Sequence, residues 1–169
     1  MSAEPNARPL IAAATLVGLG MGGFVDGILF HQILQIHNML SARIPKTSIP
    51  NIEINMVWDG LFHAFCWLMV MLGLMMLWSA SKKADVPWST KVFAGSLVLG
   101  WGLFNLVEGI IDHHILGIHH VVERLGVSVF DYAFLLSGVA LIVIGWSAIR
   151  AGRGDASPSP GRMGRAGAP

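Results

Sequence analysis

Four long apolar stretches alternate with polar segments along the 169-residue chain. They cover positions 9–31, 56–80, 92–111 and 127–149. Each reaches or approaches the ~20 residues that a helix needs to cross a hydrocarbon core of ~30 Å. The pattern therefore predicts an all-α integral membrane four-helix bundle.

The amino-acid composition agrees with a membrane protein. Hydrophobic residues make up 54% of the chain and charged residues 12%, whereas a soluble domain has about 25% charged residues. This composition excludes an ordinary soluble protein and a disordered chain, and it makes the lipid bilayer the expected surroundings. A net charge of +1 without a basic block argues against a nucleic-acid partner. The single cysteine, Cys66, excludes a disulfide framework and a zinc site built from cysteines alone.

The basic residues lie mostly on one side of the four predicted spans. One side carries Arg8, Lys82, Lys83, Lys91, Arg150, Arg153, Arg162 and Arg165, and the other carries Arg43, Lys46 and Arg124. Because cytoplasmic segments carry the excess of Lys and Arg, both termini and the middle loop are expected in the cytoplasm. The first stretch is expected to be a retained span, since a signal peptide would have a more basic start and a cleavage site.

The four spans are predicted to form a single membrane domain over residues 1–150. Segment 41–55, which contains Pro45 and Pro50, is predicted to be a loop on the outer side. Residues 151–169 are rich in Gly, Pro, Ser and Arg, a composition typical of disorder. We therefore expect this tail to be disordered in the cytoplasm.

An internal repeat appears when the sequence is aligned with itself at an offset of 82 positions. The matched pairs are Asp26 and Glu108, Gly27 and Gly109, His31 and His113, and His37 and His119. The second and fourth spans also both begin with an aspartate, Asp59 and Asp131. The repeat predicts two tandem helical hairpins, about residues 9–80 and 92–149, related by an axis along the membrane normal.

The repeat places polar residues from all four spans in one outer layer of the bundle. All seven histidines and five of the ten acidic residues fall within it. Ionisable groups inside a membrane cost a few kcal/mol each on insertion scales, and they therefore indicate a function. A mixture of imidazoles and carboxylates suits transition-metal ions, with copper, zinc or iron as the principal candidates and manganese also compatible. The residues predicted to bind metal are Asp26, His31, His37, Asp59, His63, Glu108, Asp112, His113, His114, His119 and His120.

Helical geometry relates some of these residues and separates others. At ~100° per residue, Asp26 and His37 share a face. His31, and His113 in the second repeat, would lie about 140° round from the acid in an ideal α-helix. Either two faces carry ligands or the helix is distorted, for which Gly117 offers a place.

The groups that both repeats contain are the first candidates for ligands, and other acids in the layer would hold the histidine rings by hydrogen bonds. These first candidates are Asp26, His31, Glu108 and His113. Asp59 and His63, one helical turn apart, come next. His37 and His119 are expected to project from the bilayer, as an access point for the ion or as solvated helix ends.

The remaining polar residues have less defined roles. Asp112, His114 and His120 have no chemical counterpart in the first repeat. Asp131 is expected to cap its helix, where an acid is favoured. Glycines along the first and third spans predict that these two spans pack together at the repeat axis, which would bring the two acid-histidine sets face to face.

The two polar motifs resemble a known family of bacterial membrane proteins. They run from Gly-Phe-Val-Asp26 to His37 and from Phe104-Asn-Leu-Val-Glu108 to Asp112-His113-His114. The family consists of predicted four-span proteins without a defined function, and the resemblance covers nearly the whole chain except the tail. It implies a location in the bacterial cytoplasmic membrane, and it brings no activity, cofactor or catalytic residue.

These patterns favour a membrane metal protein with a mono- or di-metal site on the extracytoplasmic side, used for metal handling or metal-dependent redox chemistry. A b-type haem protein is an alternative, although the acids beside the histidines suit a porphyrin less well. A proton- or ion-coupled transport component and a structural subunit of a membrane complex are further alternatives. A second copy of the chain or a larger membrane complex would be the protein partner. No phosphate-binding loop, nucleophile elbow or zincin motif indicates a specific reaction, so the sequence leaves open whether the protein is an enzyme.

Overall fold

The structure is a computed structural model, and it describes residues 5–157. Four long helices cover most of these residues: α1 over Arg8–Asp26, α2 over Ile49–Ser81, α3 over Thr90–Glu108 and α4 over Val129–Gly152. All four are long and apolar enough to span a membrane, and residues 5–157 contain no β-strand. The predicted all-α fold with four spans is confirmed.

The helices pack side by side in the order α2, α1, α3, α4. α1 and α3 contact each other in the middle, α2 packs on α1, and α4 packs on α3. The two outer helices carry many exposed apolar side chains, such as Met75 at 63% and Leu136 at 68% exposure. Apolar surface of this extent agrees with a bundle surrounded by lipid.

Glycine allows the close contact between α1 and α3. A Cβ atom at Gly18 would collide with the carbonyl oxygen of Leu97, and one at Gly100 would collide with the carbonyl oxygen of Thr15. Small residues let membrane helices approach closely enough for their backbones to pack. The predicted packing of the first span against the third is confirmed.

Replacing Gly18 by Val is expected to destabilise the bundle, because the new side chain fits only if α1 moves away from α3. We expect a loss of about 1–3 kcal/mol, measured as a lower Tm in mild detergent. Gly60→Val is the matched control, since a Cβ atom at Gly60 would have no atom within 4 Å. Equal stability of the two variants would contradict a glycine-dependent contact.

α1 and α3 each continue into a short π-helix. These segments, π1 and π2, cover Gly27–Ile33 and Gly109–Ile115. In a π-helix the residues five apart are hydrogen-bonded and lie one turn apart, as residues four apart do in an α-helix. Asp26 and His31 are five apart in sequence, so the π-helix brings them to one face. The distortion therefore begins directly after the acid and not at Gly117.

The second span begins earlier than the apolar pattern predicts. α2 starts at Ile49, inside the segment predicted to be a loop through residue 55. Ser48 caps the helix by accepting a hydrogen bond from the backbone N–H of Asn51 at 3.4 Å. Pro50 lies in the first turn, where the missing N–H of proline has no cost. The proline that indicated a loop is instead part of a helix start.

Residues 151–157 contact the rest of the bundle. α4 continues to Gly152 and is followed by a 3₁₀ turn at Arg153–Asp155. Lys91 Nζ lies 2.6 Å from Asp155 Oδ2, and Ser157 exchanges backbone hydrogen bonds with Trp88. The first part of the predicted disordered tail is therefore structured, and residues 158–169 lie outside the described residues.

Candidate metal centre

Six buried side chains converge at the end of the bundle where α1 and α3 finish. Two come from the last residues of α1 and α3, two from π1 and π2, and two from the segments that follow. None of the six is more than 4% exposed. This six-residue cluster consists of Asp26, His31, His37, Glu108, His113 and His119.

The ligand atoms of the cluster are close enough to bind a metal ion. Three overlapping triplets each bring three such atoms within 4.8 Å of one another: His31, His37 and His119; Glu108, His113 and His119; and Asp26, His31 and Glu108. Ligand atoms about 2.1 Å from a tetrahedral ion lie roughly 3.4 Å from one another. The cluster therefore needs only small adjustments to surround an ion.

Backbone carbonyl groups set the tautomer of two histidines. His37 Nδ1 donates to the carbonyl oxygen of Val121 at 3.0 Å, and His119 Nδ1 donates to the carbonyl oxygen of Met39 at 3.1 Å. Because a carbonyl oxygen only accepts hydrogen bonds, Nδ1 carries the proton and Nε2 of the neutral ring has a free lone pair. Histidines that bind metals are held in this way.

Two aspartates outside the cluster lie behind the other two histidines. His31 Nδ1 is hydrogen-bonded to Asp59 Oδ1 at 2.9 Å, whereas His113 Nδ1 lies 3.3 Å from Asp131 Oδ1 without the alignment of a hydrogen bond. Carboxylates that hold the far side of a ligating imidazole fix its orientation and raise its basicity. Asp59, predicted from the sequence as a ligand, therefore lies behind His31 as its hydrogen-bond partner.

Backbone N–H groups hold these two aspartates in place. The N–H of Met39 donates to Asp59 at 2.8 Å, and the N–H of Val121 donates to Asp131 at 3.1 Å. Asp131 also accepts from the backbone and side chain of Ser128, which confirms the predicted helix cap. Met39 and Val121 thus each hold an aspartate with the N–H group and a histidine with the carbonyl group.

The inward-facing atoms of the cluster lack hydrogen-bond partners among residues 5–157. They are Nε2 of His31, His37, His113 and His119, together with Asp26 Oδ2 and both carboxylate oxygens of Glu108. His31 Nε2 lies 3.0 Å from Asp26 Oδ2 without the alignment of a hydrogen bond. A buried polar group without a partner costs about 1–3 kcal/mol, and a charged group costs more. One or two bound cations would give these atoms partners.

His119 has the protonation state that a metal ligand needs. This residue follows π2 and lies outside the four membrane spans. Burial, together with the nearby imidazoles of His37 and His113, lowers the pKa of His119 well below its ordinary value. The ring is therefore neutral at physiological pH, and only a neutral imidazole binds a metal ion.

Two predicted ligands lie beside the cluster and belong to none of its triplets. The ring of His63 stacks against Phe24 at a centroid distance of 6.0 Å. Asp112 lines a cavity next to Glu108. Neither side chain provides an atom to the triplets of close ligand atoms.

Two further predicted ligands point away from the cluster. His114 is exposed, and its Nδ1 lies 2.7 Å from the carbonyl oxygen of Gly109. His120 Nδ1 lies 3.6 Å from Asp131 Oδ1, so this ring lies behind His113 rather than beside it. These two histidines have no counterpart in the first repeat, as the sequence indicated.

The expectation that His37 and His119 are solvated helix ends is wrong, since both are completely buried. The chain reverses after each π-helix at a residue with positive φ, Gln35 at 51° and Gly117 at 53°. This left-handed conformation turns the following segment back over the end of the bundle. The sequence signals for this return were Gly117, which tolerates positive φ, and the presence of both histidines at matched positions of the repeat.

Comparison with known proteins identifies one family. Residues 13–152 match the family described as "Predicted membrane protein (DUF2243)", and this range includes the six-residue cluster and nearly all of the four helices. No curated protein and no solved structure matches the chain.

Proposed function

Because the chain belongs to this family of predicted membrane proteins, we propose a function inside a membrane: the protein binds one or two transition-metal ions through the six-residue cluster. The bound ions serve metal handling, such as delivery to another protein, or metal-dependent redox chemistry. Copper, zinc and iron are the candidate metals, because imidazole suits all three and the carboxylates of Asp26 and Glu108 add hard oxygen ligands.

The proposal depends on one observation. The Nε2 atoms of four buried histidines face Asp26 Oδ2 and both oxygens of Glu108, and none of these atoms has a hydrogen-bond partner in the described part of the chain. A layer that only stabilised the fold would pair these polar atoms within the protein. The Nδ1 atoms of His31, His37 and His119 are hydrogen-bonded to oxygen atoms, which leaves their Nε2 atoms for an ion.

The two-part composition of the cluster supports two ions. By the sequence repeat, one part is Asp26, His31 and His37, in which Asp26 Oδ2 lies 3.0 Å from His31 Nε2 and 3.9 Å from His37 Nε2. The other part is Glu108, His113 and His119, which is one of the three triplets of close ligand atoms. The bounds of α1 and π1 recur in α3 and π2 at the offset of 82 that relates these residues in the sequence. Three protein ligands for each ion leave a coordination position for water or another small molecule, as in catalytic metal sites.

We place the cluster on the extracytoplasmic side of a bacterial cytoplasmic membrane, with both termini in the cytoplasm. The cluster lies where α1 and α3 end and where α2 and α4 begin. Most Lys and Arg residues lie toward the opposite end of the spans. The positive-inside rule therefore supports this orientation.

A haem centre fits this geometry less well. Two axial histidines must face each other across a flat, apolar slot that holds the porphyrin. The rings of His37 and His119 instead stack with centroids 4.8 Å apart, and the carboxylates of Asp26 and Glu108 face the same space. Small cations with room for carboxylate ligands are better matched to this arrangement.

Elemental mass spectrometry of the protein purified in mild detergent tests the proposal. We expect one or two equivalents of copper, zinc or iron per chain, retained through gel filtration. If iron is found, the visible spectrum is recorded next, and a haem spectrum would overturn the assignment of a His/carboxylate site. Absence of metal, even after chelation and reconstitution with each ion, would contradict the proposal and favour an ion relay or a structural polar layer.

A further inference from the structure

A cavity of about 370 Å³ lies beside the six-residue cluster. α2 and α3 both pack against α1 and have little contact with each other, so a groove remains between them over Leu19. Glu108 belongs to the cluster and also lines the cavity, which means that the two share a wall. Cavities of this volume with a mainly apolar lining are typical of small-molecule binding sites.

The cavity opens on the side of the bundle that faces lipid. Its apolar lining includes half-exposed side chains between 45% and 56% exposed: Trp58, Leu61, Phe65 and Val107. All four lie within α2 and α3, in the parts of the chain that are apolar enough to span a membrane. A ligand would therefore enter from the hydrocarbon layer, and this path selects a molecule that dissolves in lipid.

The polar part of the lining selects a hydrogen-bond donor. Glu108 and Asp112 are the two acidic lining residues, and the oxygens of a carboxyl group accept hydrogen bonds whether or not the group is ionised. Both oxygens of Glu108 lack partners among the described residues. The aromatic lining offers faces on which a flat ring can stack, and it consists of Trp58, Phe62, Phe65 and Phe104.

The other half of the bundle has different side chains at the matching positions. At the offset of 82, Asp112 corresponds to Phe30, and Leu19 corresponds to Trp101. The ring of Phe30 lies 6.0 Å from that of His37, so an aromatic side chain takes the place of the acid there. Leucine in place of tryptophan, together with a second acid near the first, therefore distinguishes the half of the bundle that contains Glu108.

We propose that this cavity binds a lipid-soluble aromatic compound with a ring hydroxyl group, a molecule of the quinol class. The ring stacks among the aromatic side chains, and the hydroxyl donates its one hydrogen bond to Asp112, next to Glu108. This inference rests on the proposed metal-binding function, because it names the class of molecule that reaches the metal cluster from the membrane.

The test measures binding of a tritium-labelled hydroquinone with a ten-carbon chain to the full-length protein in detergent, with metal content determined on the same sample. We expect saturable binding and at least tenfold weaker binding of the dimethyl ether, which keeps the ring but has no donor. Asp112→Ala is expected to weaken hydroquinone binding about tenfold while leaving the metal content unchanged. Val107→Trp fills the cavity and is expected to abolish binding, whereas Val143→Trp, at an equally exposed valine of α4, is the matched control.

Each outcome separates this inference from the metal-binding proposal. Protein that carries its metal but shows no saturable binding overturns the inference and leaves the metal site intact. Equal binding of hydroquinone and dimethyl ether, unaffected by Asp112→Ala, also overturns it and identifies the groove as a place for lipid acyl chains. Hydroxyl-dependent binding by a protein that holds no metal overturns the proposed function while supporting the inference.

Discussion

Replacing His119 by Ala is expected to remove most of the bound metal. His119 belongs to two of the three triplets of ligand atoms, and its Nε2 lies 3.4 Å from Glu108 Oε1. Mutating even the hydrogen-bond partner of a metal ligand costs 10–100-fold in affinity, so loss of a ligand is expected to cost at least about 100-fold. Elemental analysis after gel filtration should then find less than about a tenth of the wild-type metal.

The other histidines supply the comparison for this variant. His31→Ala and His113→Ala should lose metal to the same extent, because both rings lie in the cluster. His114→Ala is the control, since this ring is exposed and lies outside every triplet. His120→Ala should lose less metal than His119→Ala. The His120 ring belongs to no triplet of ligand atoms, and it lies beside Asp131, at 3.6 Å from Oδ1. Full metal retention in His119→Ala would show that His119, in the segment after π2, does not bind the metal.

The four helices could be predicted from the sequence because membrane spans need long apolar runs that few other structures contain. The start of α2 could not, since Pro50 is compatible with both a loop and the first helical turn. Only the hydrogen bond from Asn51 to Ser48 decides between the two. Helix boundaries therefore depend on capping hydrogen bonds, which a hydropathy pattern does not contain.

The members of the cluster could be predicted in part from the repeat. Asp26, His31, Glu108 and His113 were the first candidates, and all four belong to the cluster. The π-helices were not predicted, because they differ from α-helices in hydrogen-bond register and not in composition. This one change of register places Asp26 and His31 on one face, which removes the two-face alternative.

The inward position of His37 and His119 depends on contacts between the two halves of the chain. His37 is held by Val121 and His119 by Met39, and these bonds join residues 84 and 80 positions apart. Spacing along a single helix contains no information about such contacts. The left-handed residue Gln35 adds to the difficulty, because glutamine seldom adopts a positive φ.

Replacing Glu108 by Gln is expected to remove the stabilisation that metal binding contributes and to leave the metal-free protein almost unchanged. Glu108 is 3% exposed, and its carboxylate oxygens have no hydrogen-bond partner within residues 5–157. A buried carboxyl group without a cation beside it takes up a proton instead of remaining charged, so the neutral isostere should leave the stability of the metal-free protein almost unchanged. With metal present the same change removes a ligand, and the stabilisation that binding contributes is lost.

The measurement is Tm in mild detergent, with and without metal, for three proteins. Binding to the folded state contributes about 2.7 kcal/mol at a free metal concentration of 100 Kd, which corresponds to about 5–10 °C for a chain of this size. The wild type and Asp112→Asn should both show this increase, because Asp112 lies outside the triplets of ligand atoms. Glu108→Gln should show almost none, while its metal-free Tm stays close to that of the metal-free wild type.

An unchanged metal-dependent increase in Glu108→Gln would exclude this carboxylate as a ligand. A metal-free variant much less stable than the metal-free wild type would show that the carboxyl group of Glu108 already has partners in the metal-free protein.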